Sequence, residues 1–360
     1  MQYHLFVDIS SHGFGHLAQT APVLNALRLR LPDLQLTIRC GIPHARLRQR
    51  IDGLFVHIPE ASDFGLSMKN ALEVDVAASV ARYQAFHANW DVQVQIDAQQ
   101  IAQLRPHLVL VNISYLALAA AQSAQIPALA MCSLNWMDIF FPYAPASPQL
   151  SKIRAQMLDA YNSAAAFLRL TPGMLMPHIK RLTEIGPIAC QPNAHPPRLH
   201  TLLGLAPATR LVLVAMGGIP LALPRSWPRL PGVYWIVPSD VALPREDMIA
   251  LESIDSPFID VLAACDCVFT KSGYGVFVEA TVCGTPVLYV ERPDWPEESC
   301  LVAWLQQHNQ AQGLSRAQFE QGTFADALHA LLRQPRVAPL APTGIDEAAD
   351  GIKMMLESLS

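Results

Sequence analysis

A glycine-rich turn containing two histidines lies near the start of the chain, between an apolar run and a segment of helical character. Its sequence is SSHGFGHLAQTAPV, from Ser10 to Val23. After a buried strand, such a turn presents free backbone N–H groups and the positive end of a helix dipole, where an anion or a polar substrate can bind. Gly13 and Gly15 let a ligand approach the backbone closely. His16, at the helix start, is a residue type that could take a proton from an attacking hydroxyl.

The same turn also matches a second pattern, since GFGHLA reads as Gly-x-Gly-x-x-Ala, the dinucleotide-binding fingerprint. That fingerprint expects an acidic residue near the end of the second strand, whereas this strand ends at Arg39 and Cys40. An arginine there would suit a 2′-phosphate. An NADP-dependent oxidoreductase therefore stays open as an alternative.

A second group of candidate ligand-binding residues lies in the C-terminal half, within Asp260–Ser299. The segment reads as helix, short strand, glycine turn, helix, strand and loop. This order places Lys271 and the turn after it at the carboxyl end of a strand, where open α/β sheets bind ligands. Lys271 supplies a positive charge, and Ser272 with the following N–H groups can bind phosphate oxygens. Glu279 lies one helical turn beyond Gly275, where its carboxylate could reach the hydroxyls of a ribose.

Composition limits the classes of function. Apolar residues make up 51% of the 360 residues and charged residues 15%, so we expect two full cores rather than disorder. A net charge of −5 does not favour binding to the negatively charged backbone of a nucleic acid. Seven scattered cysteines fit reduced thiols, and the first residues read as a strand rather than a leader. We therefore expect a cytoplasmic protein without a transmembrane segment, with peripheral membrane association left open.

Short apolar runs recur in both halves with helical segments between them, as parallel strands buried under helices do. The runs are Leu5–Ile9, Leu34–Ile38, Leu54–Ile58, Leu108–Val111, Ala128–Met131, Leu211–Ala215, Val233–Val237, Cys267–Phe269 and Val287–Val290. Gly186–His200, with four prolines and no periodic pattern, is typical of a linker. The sequence therefore predicts two doubly wound α/β domains, residues 1–190 and 200–342, and a terminal amphipathic helix within residues 343–360.

Four segments in this order resemble the GT-B glycosyltransferases. They are SHGFGHLAQ, LVLVNISYLALAAAQSAQIPALAMCSLNW, LVLVAMGG and the Asp260–Ser299 segment. The branch includes the UDP-glycosyltransferases, the lipid-linked N-acetylglucosaminyltransferase of peptidoglycan synthesis and, most strongly, the N-terminal part of plant arabinokinases. The resemblance implies two Rossmann-like domains facing a central cleft, with the acceptor on the first, the nucleotide-sugar donor on the second and the last helix packed back on the first.

The resemblance also implies an activity and roles for single residues. It implies an inverting, metal-independent transfer of a sugar from a nucleotide-sugar donor, leaning towards UDP, to an acceptor hydroxyl, with His16 as general base. Gly13 and Gly15 would then accept the sugar. The positions that the resemblance assigns to the phosphates, ribose and sugar of the donor are Gly217, Gly218, Lys271, Ser272, Gly273, Tyr274, Gly275, Glu279, Glu297 and Glu298.

One position departs from the pattern of the family. Related sequences often carry an aspartate, which orients the histidine, where this chain has Asn112. An amide can fix the tautomer but adds no charge, so His16 should be a weaker base. Asp8, at the end of the first strand, is the candidate substitute. A catalytically weak or inactive GT-B protein that binds a nucleotide sugar or glycan, and a sugar-nucleotide epimerase, therefore remain alternatives.

The sequence predicts neither a metal site nor a cofactor, because the nucleotide sugar is a co-substrate and no Cys or His spacing suits zinc. The acceptor and the oligomeric state stay undetermined. The aromatic stretch NWMDIFFPY, Asn135–Tyr143, keeps a lipid-linked acceptor open beside a glycan.

Overall fold

Strands and helices alternate along the whole chain. The computed structural model describes residues 2–218 and 222–359. The chain divides into two compact units. Unit 1 comprises the residues up to Lys69, Glu73–Ile188 and the C-terminal segment from Thr343, and unit 2 comprises Asn70–Leu72 and Ala189–Pro342.

The elements up to Ile188 begin with the predicted strand and the helix that follows the glycine turn. They are β1 (His4–Ile9), α1 (Gly15–Arg30), β2 (Gln35–Arg39), α2 (His44–Arg48), β3 (Val56–Ile58), β4 (Met68–Asn70), β5 (Glu73–Val74), α3 (Val76–His87), α4 (Trp90–Leu104), β6 (Leu108–Asn112), α5 (Tyr115–Ser123), β7 (Ala128–Cys132), α6 (Trp136–Phe140), α7 (Pro148–Ser163), β8 (Ala166–Leu170) and β9 (Leu182–Ile185). Seven of these strands form one parallel sheet in the order β3-β2-β1-β6-β7-β8-β9, while β4 and β5 pair with each other.

Unit 2 is built on the same plan around a second sheet. Its elements are α8 (Leu199–Leu202), β10 (Arg210–Ala215), β11 (Val233–Val237), β12 (Met248–Ala250), a 3-10 turn (Leu251–Ser253), α9 (Phe258–Ala264), β13 (Cys267–Lys271), α10 (Tyr274–Cys283), β14 (Val287–Val290), α11 (Glu298–His308), β15 (Ala311–Leu314), α12 (Arg316–Gln321) and α13 (Ala325–Leu332). The six described strands are parallel in the order β12-β11-β10-β13-β14-β15.

Both sheets are apolar in their centres. Strands β6 and β7 of unit 1 are buried along their whole length, as are the central strands of unit 2 apart from their ends. Continuous apolar strands of this kind are stable because helices cover both faces of a parallel sheet. The core of unit 2 includes Trp227, Trp235, Phe269 and Phe324, which pack edge to face or tilted against one another.

The terminal helix α14 (Gly344–Ser358) belongs to unit 1 and packs against α1. Arg30 at the end of α1 forms ion pairs of 2.6 Å with both Asp346 and Asp350 on α14. Gly344 N donates to the carbonyl oxygen of Pro187 at 3.1 Å, which ties the start of α14 to the segment after β9.

The order of strands reverses once in each sheet, and these points decide where a ligand can bind. In unit 1 the chain runs from β1 outward to β2 and β3 and returns on the other side of β1 as β6. In unit 2 it runs from β10 to β11 and β12 and returns beside β10 as β13. Ligands of open parallel sheets bind outside the carboxyl ends of the strands at such a reversal. Each unit therefore has one expected site, between β1 and β6 and between β10 and β13.

Candidate functional site

The glycine turn lies at the strand reversal of unit 1, directly after β1. Gly13 adopts a φ of +84°, in the left-handed region that favours glycine. A Cβ at Gly13 or Gly15 would meet nothing within 4 Å, so the space above the turn is open. Helix α1 starts without a capping side chain, which leaves its first N–H groups free to bind a polar ligand.

A chain of buried amides holds the His16 side chain. Nδ1 of His16 lies 2.8 Å from Oδ1 of Asn112, at the end of β6. The Asn112 amide nitrogen is already used, because it donates to Oε1 of Gln19 at 3.1 Å. The oxygen of Asn112 must therefore accept a hydrogen bond from the protonated Nδ1 of His16. In this tautomer the lone pair of the neutral imidazole is on Nε2, the nitrogen that can act as a base.

Nε2 of His16 remains available although the residue is only 5% exposed. It makes no hydrogen bond with any residue that the structure describes, so it can accept one from a polar ligand. Burial lowers the pKa of His16 to about 4, and the bond to Asn112 opposes this shift. An amide partner adds no charge that would favour the imidazolium. His16 is therefore neutral at pH 7 and a weak base.

Asp8 makes no hydrogen bond with the His16 ring, so its role as a substitute for the missing aspartate stays a prediction without support from these bonds. Its carboxylate accepts hydrogen bonds from Nε of Arg39 and from Oγ of Ser62, both at 2.5 Å. Asp8 and Arg39 are register partners on β1 and β2, and Arg39 also pairs with Asp97. These ion pairs engage the guanidinium of Arg39, which removes the support for an NADP 2′-phosphate site.

Sequence reasoning missed Asp63, which lies in the loop after β3. Its carboxylate accepts a hydrogen bond from Oγ of Ser10 at 2.7 Å and one from Nε1 of Trp136 at 2.8 Å. Burial raises the pKa of Asp63 to about 7, although both hydrogen bonds lower it. The signal was absent because Asp63 and Trp136 are 73 residues apart in the sequence.

The aromatic stretch Asn135–Tyr143 is mostly interior. The side chains of Trp136, Met137, Ile139 and Phe140 have no exposed surface. These four residues therefore offer no apolar surface to a lipid, and the stretch packs beneath its loop instead.

Lys271 ends β13 at the strand reversal of unit 2. It makes no hydrogen bond or ion pair with any described residue, and its amine is not among the fully buried unpaired atoms. A Cβ on Gly217 or Gly273 would lie 3.9 Å and 3.8 Å from Nζ, so the amine lies close to the backbone of both glycine turns. Burial, helped by Arg292, lowers the pKa of Lys271 to about 7, while Glu297 raises it. An amine without a bonded partner among the described residues, close to two backbone turns, is suited to an anion, which would favour its ammonium form.

The residues around Lys271 complete this anion site. Gly217, after β10, has a φ of +81°, and Gly218 after it is exposed. Ser272 is fully buried, and its Oγ makes no hydrogen bond of normal length, although it is near enough to Glu298 to lower the pKa of that carboxyl group. Gly273 then caps α10 without a side-chain hydrogen bond.

The starts of α1 and α10 differ from those of the other long helices. Among the described helices of eight or more residues, these two alone have neither a capping side chain nor an acidic residue in the first turn. A cap or an acid would occupy the N–H groups and offset the helix dipole. At both predicted ligand turns, therefore, neither a capping side chain nor a first-turn acid competes with an anionic or polar ligand for the positive helix end.

The predicted donor residues on α10 lie close to its start. Tyr274 is the first residue of the helix and Gly275 the second, and Tyr274 is 5% exposed. Glu279 is also 5% exposed, so it is not a solvated carboxylate on an outer helix face. Its contact with a ribose stays a prediction.

Glu297 and Glu298 lie where β14 leads into α11, together with an arginine that the sequence did not single out. Glu298 Oε1 accepts a hydrogen bond from the backbone N–H of Arg292 at 2.5 Å. Glu297 Oε2 accepts one from Nε1 of Trp295 at 3.3 Å. The Arg292 guanidinium lies 4.3 Å from the centre of the Trp295 ring and is buried. A cavity of about 340 Å³ opens beside Glu298, and Tyr289, Glu291 and Gln306 also line it.

Two features are absent from the described residues. No group of three or more His, Cys, Asp or Glu side chains in this part of the chain could hold a metal ion. None of its helices has the length and apolar composition to cross a membrane.

Comparisons with known proteins place the chain by its fold. No protein-family model matches it. Over 303 residues it is 23% identical to the L-arabinokinase of Arabidopsis thaliana, which covers 81% of this chain. The matched region spans 28% of the length of that enzyme.

Several solved structures match nearly the whole chain. CalG4, the calicheamicin glycosyltransferase, is 14% identical with a TM-score of 0.63 and full coverage of both chains. Phytolacca americana UGT2, complexed with UDP-2fluoro-glucose and pterostilbene, is 14% identical with a TM-score of 0.58, covering 99% of this chain and 94% of its own. A Listeria monocytogenes protein described as a UDP-N-acetylglucosamine 2-epimerase is 15% identical with a TM-score of 0.60, and the match covers 99% of this chain and 96% of that protein. The chain therefore has the GT-B fold, as the sequence predicted.

Proposed function

We propose that the chain is a glycosyltransferase that moves a sugar from a nucleotide-sugar donor to an acceptor hydroxyl with inversion at the anomeric carbon. In this proposal unit 2 binds the donor and unit 1 supplies the base. The observation that carries most weight is the amine of Lys271, which makes no hydrogen bond or ion pair with any described residue and lies beside two glycine turns at the strand reversal of unit 2.

The donor phosphates would bind at this point of unit 2. Lys271 and the N–H groups at the start of α10 supply positive charge, and the buried hydroxyl of Ser272 supplies a hydrogen bond. The same groups stabilise the leaving diphosphate as the bond to the sugar breaks, so the proposal requires no metal ion. Glu279, one turn into α10, is assigned to the ribose, and Glu297 and Glu298 to the sugar.

In unit 1, His16 would remove the proton of the acceptor hydroxyl as its oxygen attacks the anomeric carbon. The bond to Asn112 fixes Nδ1 as the protonated nitrogen and leaves Nε2 to accept the proton. A base whose pKa is near 4 is inefficient at neutral pH, because the imidazolium is poorly stabilised. We therefore expect slow turnover, roughly 10²-fold below that of an enzyme with a well-matched base.

The donor nucleotide is proposed to be UDP, and two of the structural matches support this. UGT2 was solved with a UDP sugar, and the Listeria protein is described by a UDP-sugar reaction. The epimerase description keeps one alternative, since an epimerase interconverts two UDP sugars without an acceptor. Asn112 favours another, a protein that binds the nucleotide sugar without transferring it.

A thermal-shift screen of nucleotides tests the donor site. At a concentration about 100-fold above its Kd, a ligand of the native state adds about 2.7 kcal/mol of stability, which corresponds to a rise in Tm of several degrees. We expect such a rise with UDP, and its loss in Lys271→Ala and Glu279→Ala. Lys353→Ala, which removes an exposed lysine paired with Glu357 in α14, is the matched control and should keep the shift. A screen in which no nucleotide raises the Tm would contradict the donor site.

A further inference from the structure

Asp63 is a buried carboxylate that the proposed proton transfer does not use. It is 9% exposed and lies in the loop between β3 and β4. One of its oxygens accepts a hydrogen bond from Ser10, in the turn after β1, and the other accepts one from the indole of Trp136, the first residue of α6. Asp63 therefore joins the loop after β3 to both sides of the strand reversal in unit 1.

Trp136 in turn lies against the histidines of the glycine turn. Its ring is edge to face with that of His12 at 5.1 Å and with that of His16 at 5.5 Å between centroids. Its backbone is also fixed, because its N–H donates to the Tyr161 hydroxyl at 3.0 Å, which donates to the carbonyl oxygen of Ile113 at 3.1 Å. The indole is thus the surface against which the His16 imidazole packs.

The loop that carries Asp63 fits closely over these rings. A Cβ on Gly65 would lie 2.7 Å from Cγ of His12 and 2.8 Å from the indole of Trp136, and Gly65 has a φ of +58°. No side chain can therefore be added at Gly65 without displacing the rings. The loop therefore packs directly against His12 and the Trp136 indole, and the indole packs against His16.

We propose that Asp63 is a positioning residue, which fixes the Trp136 indole and thereby holds the His16 imidazole in the orientation that proton transfer requires. The catalytic part of this inference rests on the proposed role of His16 as base. The structural part, that Asp63 controls Trp136 and through it His16, stands without any activity.

The protonation of Asp63 makes this control measurable. The carboxylate accepts two hydrogen bonds, whereas the protonated acid accepts them more weakly because they are no longer charge-assisted. With the pKa of Asp63 raised to about 7, both forms are present near neutral pH. The charged or titratable groups that act on Asp63, or on which it acts, are Asp8, Arg39, Cys40, Tyr83, Tyr115 and Tyr161.

Tryptophan fluorescence between pH 5.5 and 8.5 tests the structural part. We expect a transition with a midpoint near pH 7 in the unaltered protein, and its loss in both Asp63→Asn and Trp136→Phe. Asp138→Asn is the matched control, because Asp138 lies on α6 but bonds to Asn135 rather than to the indole nitrogen. A transition that persists in Asp63→Asn would overturn the proposal. Variants are first shown to be folded by their Tm.

Nitrogen NMR of His16 and kinetics test the step from Trp136 to His16. In the unaltered protein the spectrum should show a proton on Nδ1 alone. In Asp63→Asn and Trp136→Phe it should show a mixture of tautomers, because an imidazole that rotates away from Asn112 loses the bond that fixes Nδ1 as the protonated nitrogen. Turnover should fall about tenfold in each variant at unchanged UDP affinity, and no further in the double variant, since both act through one contact. An unchanged His16 spectrum would refute the positioning role. A changed spectrum in a protein without turnover would leave the positioning intact and contradict the glycosyltransferase assignment.

Discussion

The side chain that faces His16 sets the strength of this base. Asn112 fixes the tautomer through a bond of 2.8 Å but supplies no charge, and burial lowers the pKa of His16 to about 4. A carboxylate at the same place would stabilise the imidazolium through its charge. The residue at position 112 therefore affects the pKa of His16: an asparagine fixes only the tautomer, whereas an aspartate would also raise the pKa.

We expect Asn112→Asp to raise the pKa of His16 by roughly 1–3 pH units and to increase turnover at neutral pH. NMR titration of the His16 ring measures the pKa. Asn309→Asp changes another buried asparagine, whose amide bonds to the Thr285 carbonyl in unit 2, and should leave His16 unaltered. A pKa of His16 that stays near 4 in Asn112→Asp would show that burial alone controls it.

Lys271 makes donor binding depend on pH. Its pKa is lowered to about 7 in the free protein, with Arg292 and Glu297 as its charged neighbours. Because a phosphate group favours the ammonium form, binding takes up a proton, and affinity is highest below pH 7 and falls as pH rises through it. We expect the Kd for UDP to increase about 25-fold between pH 6.5 and 8.5, as the fraction of the ammonium form falls. Calorimetry on Lys271→Arg should show a Kd for UDP that does not change with pH. A pH dependence as steep as that of the unaltered protein would rule out Lys271 as its cause.

At the scale of elements, the turns after β1 and β10 are defined by their glycines. A side chain at Gly217 would meet a backbone φ of +81° and lie within 4 Å of the Lys271 amine. Gly232 has a similar φ of +75°, but a Cβ there would meet nothing within 4 Å. The two positions thus separate backbone strain from effects on the ligand.

Gly217→Ala and Gly232→Ala should each lower the free energy of unfolding by about 1–2 kcal/mol, because alanine is strained at positive φ. Only Gly217→Ala should also weaken UDP binding, by narrowing the space beside Lys271. Denaturant unfolding and calorimetry measure the two effects. Equal loss of UDP affinity in both variants would place the phosphate site elsewhere.

The same scale shows what the sequence could predict. Central strands such as β6 and β14 are apolar on both faces, so their positions follow from the pattern alone. Strand β8 and the edge strands β9 and β15 went unrecognised because they carry polar residues, such as Arg169, Glu184 and Gln312. His16 and Lys271 stood beside glycine turns and could be found. Asp63 and Arg292 carry no such local mark and become visible only through their contacts.

At the scale of the whole molecule, each unit has its own parallel sheet, its own strand reversal and its own candidate site. The buried neutral histidines are both in unit 1. Burial lowers the pKa of His87, as of His16, to about 4, while His87 bonds to Gln156 at 2.8 Å and to Tyr115 at 3.0 Å. Lowering the pH should therefore destabilise unit 1 by protonating these two buried side chains.

We expect His87→Gln to make stability less sensitive to acid. The pKa of His87 is below the unfolded value of 6.5, so its contribution to stability is full above pH 6.5 and is lost as pH falls towards 4. Between pH 7 and 4.5 this costs roughly 2–3 kcal/mol. Asp63, with its raised pKa, acts in the opposite direction, so the readout is the difference between the two proteins. If the denaturant midpoints of the unaltered protein and of His87→Gln depended on pH in the same way, His87 would not be a source of the acid sensitivity.

The central claim is that the chain transfers a sugar from a UDP sugar, with Lys271 needed for donor binding and His16 for turnover, and one measurement tests it most directly. Purified protein is incubated with a panel of UDP sugars, with and without acceptors, and the release of UDP is followed beside the UDP-induced rise in Tm. The account predicts that His16→Ala keeps the rise in Tm but loses turnover, and that Lys271→Ala loses both. Full turnover in His16→Ala, or interconversion of UDP sugars without UDP release, would contradict it.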